Sequence, residues 1–161
     1  MCSKADQPKR KRLRLECYDY AENGYYFVTI CTKNRQNYFA RPVGNGFIRS
    51  AAGILAEEHL LKIPEHHPGI TVDQYVVMPN HIHAIFIIEG AHSGRMNPAP
   101  TLSSVIGQYK AGVSRQLGFP IWQKSFYDHV IRNETDYQMI WQYIENYPLK
   151  WELDRFYADD T

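Results

Sequence analysis

Apolar residues recur along this chain with two distinct periods. Tyr25–Thr32 (YYFVTICT) is an aromatic and β-branched run followed by the polar Lys33–Asn37, which predicts a strand and then a loop. Pro42–Gly46, containing Asn45-Gly46, carries turn chemistry. Ser50 predicts the N-cap of a helix running to about Ile63, with Ile54, Leu55 and Leu61 on one side and Pro64 stopping it. Thr71–Met78 reads as a second strand, and Pro79-Asn80 separates it from a third at His81–Glu89. Residues 89–100 (EGAHSGRMNPAP) are small and proline-rich, which predicts a mobile loop. Thr101 then caps a helix with Leu102, Val105, Ile106, Tyr109 and Val113 at spacings of three and four, ended by Gly118 and Pro120. Ser125–Arg132 predicts a fourth strand. Thr135 is the predicted cap of a last helix reaching about Asn146, where Pro148 interrupts. This order predicts an α+β chain: a ferredoxin-like split βαβ antiparallel sheet with an additional C-terminal helix.

Composition narrows the picture. A length of 161 residues suits one domain with a real core and is short for two. Eighteen Lys+Arg against 17 Asp+Glu give a net charge of +1, which excludes a uniformly basic nucleic-acid coat and a disordered polyelectrolyte. The charge is nevertheless uneven. Residues 1–14 hold six basic groups against Asp6 alone, a net of +5, and the remaining 147 residues hold 12 basic and 16 acidic groups, a net of −4. The chain therefore divides into a basic arm at 1–14 and a single domain at 15–161. Lys9, Arg10, Lys11, Arg12 and Arg14 are candidate phosphate contacts, because neutralising phosphates dominates non-specific affinity. Tyr18, Tyr20, Tyr25 and Tyr26 follow, and any of them not taken by the first strand's core could stack on unpaired bases.

Cys2, Cys17 and Cys31 are odd in number and lack C-x-x-C spacing, which points to reduced thiols inside a cell. No apolar segment follows the basic start as a secretory signal requires. The longest strongly apolar stretch, Ala84–Ile88, is far below the roughly 20 residues that span a bilayer. The expectation is a cytoplasmic protein without a membrane partner.

The sharpest local signal is Met78-Pro-Asn-His81-Ile-His83-Ala-Ile85. Side chains alternate along a strand, so His81 and His83 share a face and Ile82 takes the other. One reading is two histidines on the polar side of a half-buried strand. The other is a pair of neutral nitrogen donors converging on one cation at the edge of a cleft. His59, His66 and His67 read as surface, His92 falls in the loop, and His129 reads as a hydrogen-bonded neighbour on the sheet. On the last helix Tyr143 and Tyr147 lie one turn apart, sharing a face with Met139 beside an Ile140/Ile144 stripe. Aromatics at that spacing ordinarily belong to a core. Chemistry offers an alternative, because a phenol with a pKa near 10 needs activation to attack. A divalent cation held by two histidines could polarise a scissile phosphate. A tyrosine attacking that phosphate would conserve the bond for rejoining, which strand transferases need and hydrolases do not.

Three ordered motifs, Pro79-Asn-His-Ile-His83, Trp122-Gln-Lys-Ser-Phe-Tyr-Asp-His-Val-Ile-Arg132 and Tyr143-Ile-Glu-Asn-Tyr-Pro148, resemble the single-tyrosine HUH transposases, in particular the REP-associated tyrosine transposases of bacteria. The start of the domain, Arg14–Tyr20 and Tyr26–Arg35, fits as well. The resemblance implies the ferredoxin-like core and an enzyme that nicks and rejoins single-stranded DNA at hairpin-bearing repeat ends with Mg2+ or Mn2+. It implies His81 and His83 as metal ligands and Tyr143 as the nucleophile forming a 5′-phosphotyrosine. It further implies a nucleoid-associated location and a homodimer in which tyrosine and histidines act in cis or in trans. Family members commonly carry Asn or Gln one turn after the tyrosine as a third ligand. Here that position is Tyr147, and Asn146 is the nearest substitute. The departure leaves room for a catalytically weakened, domesticated DNA-binding protein.

Overall fold

The computed structural model describes residues 24–43, 46–89 and 101–147; the basic arm at 1–14 and most of the predicted loop at 89–100 lie outside these. Strand β1 (Gly24–Cys31) leads through a single 3-10 turn at Lys33–Arg35 to the hairpin β2 (Ala40–Val43) and β3 (Gly46–Arg49). Helices α1 (Ala51–Leu61) and α2 (Ile63–His66) precede β4 (Ile70–Met78) and β5 (His81–Ile88), followed by α3 (Leu102–Leu117), β6 (Tyr127–Ile131) and α4 (Glu134–Asn146). The main sheet has the order β4-β5-β1-β6, with every neighbouring pair antiparallel. This is the ferredoxin-like arrangement that the element order predicted, with α4 added.

Strand alternation divides the side chains between two layers. Tyr26, Val28 and Ile30 of β1 and Ile82, Ala84 and Phe86 of β5 point to one face. There they meet Ala56 and Leu60 of α1 and Leu102, Val105, Ile106, Tyr109 and Val113 of α3 in the main core. Ile85, Phe27 and Ile131 point to the other face and pack under Ile140, Trp141 and Ile144 of α4. β5 is thus covered on both sides, which is why its sequence is almost continuously apolar apart from the two histidines. Each fully buried aliphatic side chain of this kind contributes about 1.5–3 kcal/mol relative to exposure.

Several boundaries and faces differ from the sequence expectation, each for a local reason. Pro42–Gly46 is not only a turn; it joins two paired strands, with Ala40 opposite Arg49. Ser50 does cap α1, accepting from Gly53 N–H at 3.1 Å. The buried face of α1, however, is Gly53, Ala56 and Leu60, leaving Ile54 48% and Leu61 51% exposed. Small residues allow the helix to approach the backbone at Phe39, and that approach rotates the larger side chains outward. Pro64 does not end the helical run but sits in the first turn of α2, where its missing N–H costs nothing. The cap of helix α4 is Asn133, two residues before the predicted Thr135: its Oδ1 accepts from Asp136 N–H at 2.8 Å and so captures one of the orphan donors. Of the early tyrosines, Tyr26 is fully buried and Tyr25 is 39% exposed.

A Cβ added at Gly53 would lie 2.0 Å from the Phe39 carbonyl oxygen, whereas one at the exposed Gly107 of α3 would meet nothing within 4 Å. Gly53→Ala is therefore expected to lower stability by about 2–3 kcal/mol through overpacking. Gly107→Ala should raise it by about 0.5–1 kcal/mol through reduced chain entropy. Thermal unfolding of the two variants checks this as opposite shifts in melting temperature.

Candidate active site

The face of the sheet under α4 holds the two histidines. His81 opens β5 directly after the Pro79-Asn80 turn, and antiparallel pairing sets it between Cys31 of β1 and Met78 of β4. His83 lies between Thr29 and Val76. Both imidazoles are buried, at 0% and 2% exposure, so they belong to the interior beneath α4 and not to the rim of a cleft.

Each ring is fixed through its Nδ1. Thr29 Oγ1 lies 2.8 Å from His83 Nδ1, and Asn80 Oδ1 lies 2.8 Å from His81 Nδ1. The Asn80 amide has only one sensible orientation, because its Nδ2 donates to the Arg35 carbonyl, a pure acceptor, at 3.3 Å. Its Oδ1 must therefore accept from His81, which places the proton of the neutral imidazole on Nδ1 and the lone pair on Nε2. That is the tautomer a metal ligand requires, with a hydrogen bond from the other nitrogen holding the ring in place.

Aromatic rings enclose the pair. Phe27 stacks on His83 at 5.2 Å between centroids with an interplanar angle of 27°. Tyr147 meets His83 edge-on at 4.5 Å and His81 at 5.4 Å. Tyr143 reaches His83 at 5.5 Å and Tyr147 at 4.8 Å. The two tyrosines differ in access: Tyr143 is 45% exposed and Tyr147 only 4%. The Tyr147 hydroxyl is buried with no hydrogen-bond partner among the described residues, and the Nε2 atoms of both histidines are buried as well. With imidazole centroids 4.6 Å apart and buried polar atoms facing a common interior, the residues fit one cation held by two neutral nitrogens. No cluster of three or more His, Cys, Asp or Glu gathers among the described residues.

At the other end of α4, the Tyr137 hydroxyl donates to Asp73 Oδ2 at 2.5 Å. The hydrogen bond to Asp73, reinforced by partial burial and by the negative charge of Asp73, pushes the phenol up to about 12. Asp73 lies in the irregularity of β4 between Val72 and Tyr75, so this bond ties the first turns of α4 to the edge of the sheet.

No family model matches this chain. It is 32% identical to an uncharacterised protein of Haemophilus influenzae, over 93% of this chain and 94% of that one. It is 23% identical to the REP-associated tyrosine transposase of Escherichia coli K12, over 87% of this chain and 81% of that one. Its fold superposes on the solved structure of a REP-associated tyrosine transposase bound to a REP hairpin with a TM-score of 0.64 at 23% identity, covering 88% of this chain and 74% of that one. In sequence and in fold the chain is similar to REP-associated tyrosine transposases. These similarities support a transposase-like function.

Within this transposase-like chain, the residues singled out from sequence fall into three groups. His81, His83 and Tyr143 come together on one face of the sheet, an arrangement that the resemblance implied and that residue spacing alone did not give. Asn146 is exposed at the end of α4, and the ring over the imidazoles is that of Tyr147. Lys9, Arg10, Lys11, Arg12 and Arg14 lie outside the described residues. His129 does share the sheet face with Phe27, and its Nε2 pairs with Asp136 Oδ2 at 2.8 Å. Among the described residues, no helix is long and apolar enough to cross a membrane.

Sequence reasoning missed Thr29, Asn80 and Phe27. Asn80 had a signal, its place directly before the first histidine of the pair. Thr29 and Phe27 had none, because only the register of β1 on β5 puts them beside His83.

Thr29→Val keeps the shape of the side chain and removes the hydroxyl beside buried Nδ1. It is expected to lower stability by about 1–2 kcal/mol, the cost of leaving a buried polar atom unsatisfied. Urea denaturation checks this as a lower midpoint with an unchanged slope.

Proposed function

We propose that this chain is a metal-dependent tyrosine transposase, which cleaves and rejoins single-stranded DNA at hairpin-bearing repeat ends with Tyr143 as its nucleophile. One observation carries the reading: two buried imidazoles with fixed Nδ1 atoms lie under a helix that presents one accessible tyrosine, Tyr143, at their margin. Kinship with a REP-associated tyrosine transposase and the shared fold support the same reaction class.

In this reading His81 and His83 hold Mg2+ or Mn2+, which when bound polarises the scissile phosphate and offsets charge that develops on its oxygens. The phenol oxygen of Tyr143 forms a bond to phosphorus, and the bond from phosphorus to the 3′-oxygen breaks. The phenol proton is lost and the departing 3′-oxygen gains one, leaving a free 3′-hydroxyl and a 5′-phosphotyrosine. The phosphodiester energy stays in the protein–DNA bond, so an incoming 3′-hydroxyl can reverse the step and join a new strand. Phe27 and Tyr147 pack the imidazoles so that their orientation does not depend on substrate, which is the preorganisation that electrostatic catalysis requires. The closeness of Tyr143 to His83 within one protomer supports action in cis, and a homodimer is compatible with it.

A second reading is favoured by Tyr147. Its ring covers both imidazoles where family members commonly carry a third polar ligand, which suits a transposase-derived DNA-binding protein with weakened cleavage.

Incubating the protein with fluorescent hairpin DNA bearing single-stranded flanks and Mn2+, followed by denaturing electrophoresis, separates the two. A slow protein-linked band is expected from the wild type, lost completely in Tyr143→Phe with DNA affinity unchanged. Tyr147→Phe should keep the band, because its hydroxyl is buried away from solvent. A band that persists in Tyr143→Phe overturns the nucleophile, and no band from any hairpin favours the binding protein.

A further inference from the structure

A basic cleft opens past the end of β1, at the loop whose Arg35 carbonyl Asn80 joins to His81. It has a volume of about 730 Å³ and is lined by Lys33, Arg35 and Lys124 together with Asn34, Trp122 and Gln123. Three of its lining groups are cationic and none is acidic, on a body that outside residues 1–14 carries a net charge of −4. A local concentration of positive charge on an acidic surface selects a polyanion by position, where the whole-chain charge could not.

The two walls of the cleft are bound to each other. Lys33 N–H donates to the Ile121 carbonyl at 2.8 Å, and Gln123 N–H donates to the Cys31 carbonyl at 3.0 Å. An isolated bridge pairs Thr32 with Trp122. Lys110 Nζ, reaching from α3, donates to the carbonyls of Gln123 and Ser125 and fixes the second wall. Trp122 is half-buried against Phe39 and Tyr109, and its indole N–H donates to the Lys110 carbonyl at 3.1 Å. The cleft therefore exists before any ligand arrives. Asn34 and Arg35 both have positive φ, at 56° and 54°, a conformation that costs free energy for a non-glycine residue and persists only where the surroundings enforce it. Among the contacts that hold this loop is Asn80, whose amide bonds the Arg35 carbonyl on one side and His81 Nδ1 on the other.

We infer that this cleft seats the phosphate backbone of the single-stranded DNA segment adjoining the cleaved bond, with Lys33, Arg35 and Lys124 as phosphate contacts and the face of Trp122 available to a base. The choice of DNA rests on the strand-transferase reading. The space suits a few nucleotides of one strand and not a double helix. Lysines and an arginine beside an indole are the two elements by which unpaired strands are held without sequence readout. Asn80 then links strand binding to the orientation of His81 through a single side chain.

The test is fluorescence anisotropy of the full chain with a labelled DNA hairpin carrying a single-stranded tail, titrated across salt concentrations. Lys33→Glu/Lys124→Glu should weaken binding at low salt at least about tenfold. It should also flatten the slope of log affinity against log salt by about 1.4, since each phosphate contact on a single strand contributes about 0.7. The tail-less hairpin should lose little, and Lys62→Glu at the end of α1 should change neither quantity. Lys33→Gln/Lys124→Gln, with its thermal melt, separates lost contacts from misfolding and should lose the same slope. A wild-type slope in the glutamine variant, or an equal loss on the tail-less hairpin, overturns the cleft as the strand site. Equal binding and equal loss with an RNA of the same sequence overturns the assignment to DNA. Failure of the strand-transferase reading is a different result: the tail binds through the cleft, yet no covalent adduct forms. An adduct formed with an unchanged salt slope overturns the cleft alone.

Discussion

Two imidazoles buried side by side in a β-sheet set the terms for everything around them. A buried polar ring is costly unless its nitrogens are satisfied, and here each Nδ1 is met by a neighbour the sheet supplies: Thr29 across the ladder for His83, and Asn80 at the turn for His81. The partner residues must be small and polar at those two places, and β1 must pair with β5 in this register and no other. A slip of one residue would put Val28 or Ile30 beside His83 and bury its Nδ1 against hydrocarbon. The histidine pair is thus a constraint on strand register as much as a candidate metal site.

The same constraint explains the role of α4. The opposite face of the sheet already has α1 and α3 as its cover. Without α4 the His81/His83 face, with Phe27, Ile85 and Ile131, would be open to water. Covering it buries apolar area and excludes solvent from the imidazoles, and it delivers Tyr143 and Tyr147 from the last two turns of the helix. Those two side chains share a helix face, yet one ends up enclosed over the histidines and the other at the margin. The division follows from position along the helix axis: Tyr147, with Met78 and Phe47, fills a small cluster of its own, while Tyr143 stands closer to solvent. Accessible tyrosine and enclosed imidazoles are therefore one packing solution and not two independent features.

Asn80 joins this interior to the surface. It is 1% exposed, satisfies His81 and holds a loop that has left-handed backbone at two consecutive non-glycine residues. A buried amide with both its donor and its acceptor committed is rigid, so the cationic wall formed by that loop and the imidazole behind it keep a fixed relation. The cationic loop and the His81 imidazole are positioned through the same turn.

Much of this was legible in the sequence. The periodicity of Leu102, Val105, Ile106, Tyr109 and Val113 determined the buried face of α3, the β-branched runs determined the strands, and the two-residue spacing of His81 and His83 placed both on one face. These are local properties, fixed by backbone geometry that any strand or helix must obey. The tertiary structure alone decided which face of α1 is buried, because close approach to Phe39 favours Gly53 and Ala56 over larger neighbours that hydrophobicity would choose. It alone brought Thr29 and Phe27 to His83 and set Arg35 beside Asn80, 45 residues away along the chain. It also gave Tyr143 and Tyr147 their different exposures, which helical spacing alone does not distinguish. Contacts between distant segments depend on register and on how nearly two elements can approach, and neither quantity is written in the spacing of residues along one element.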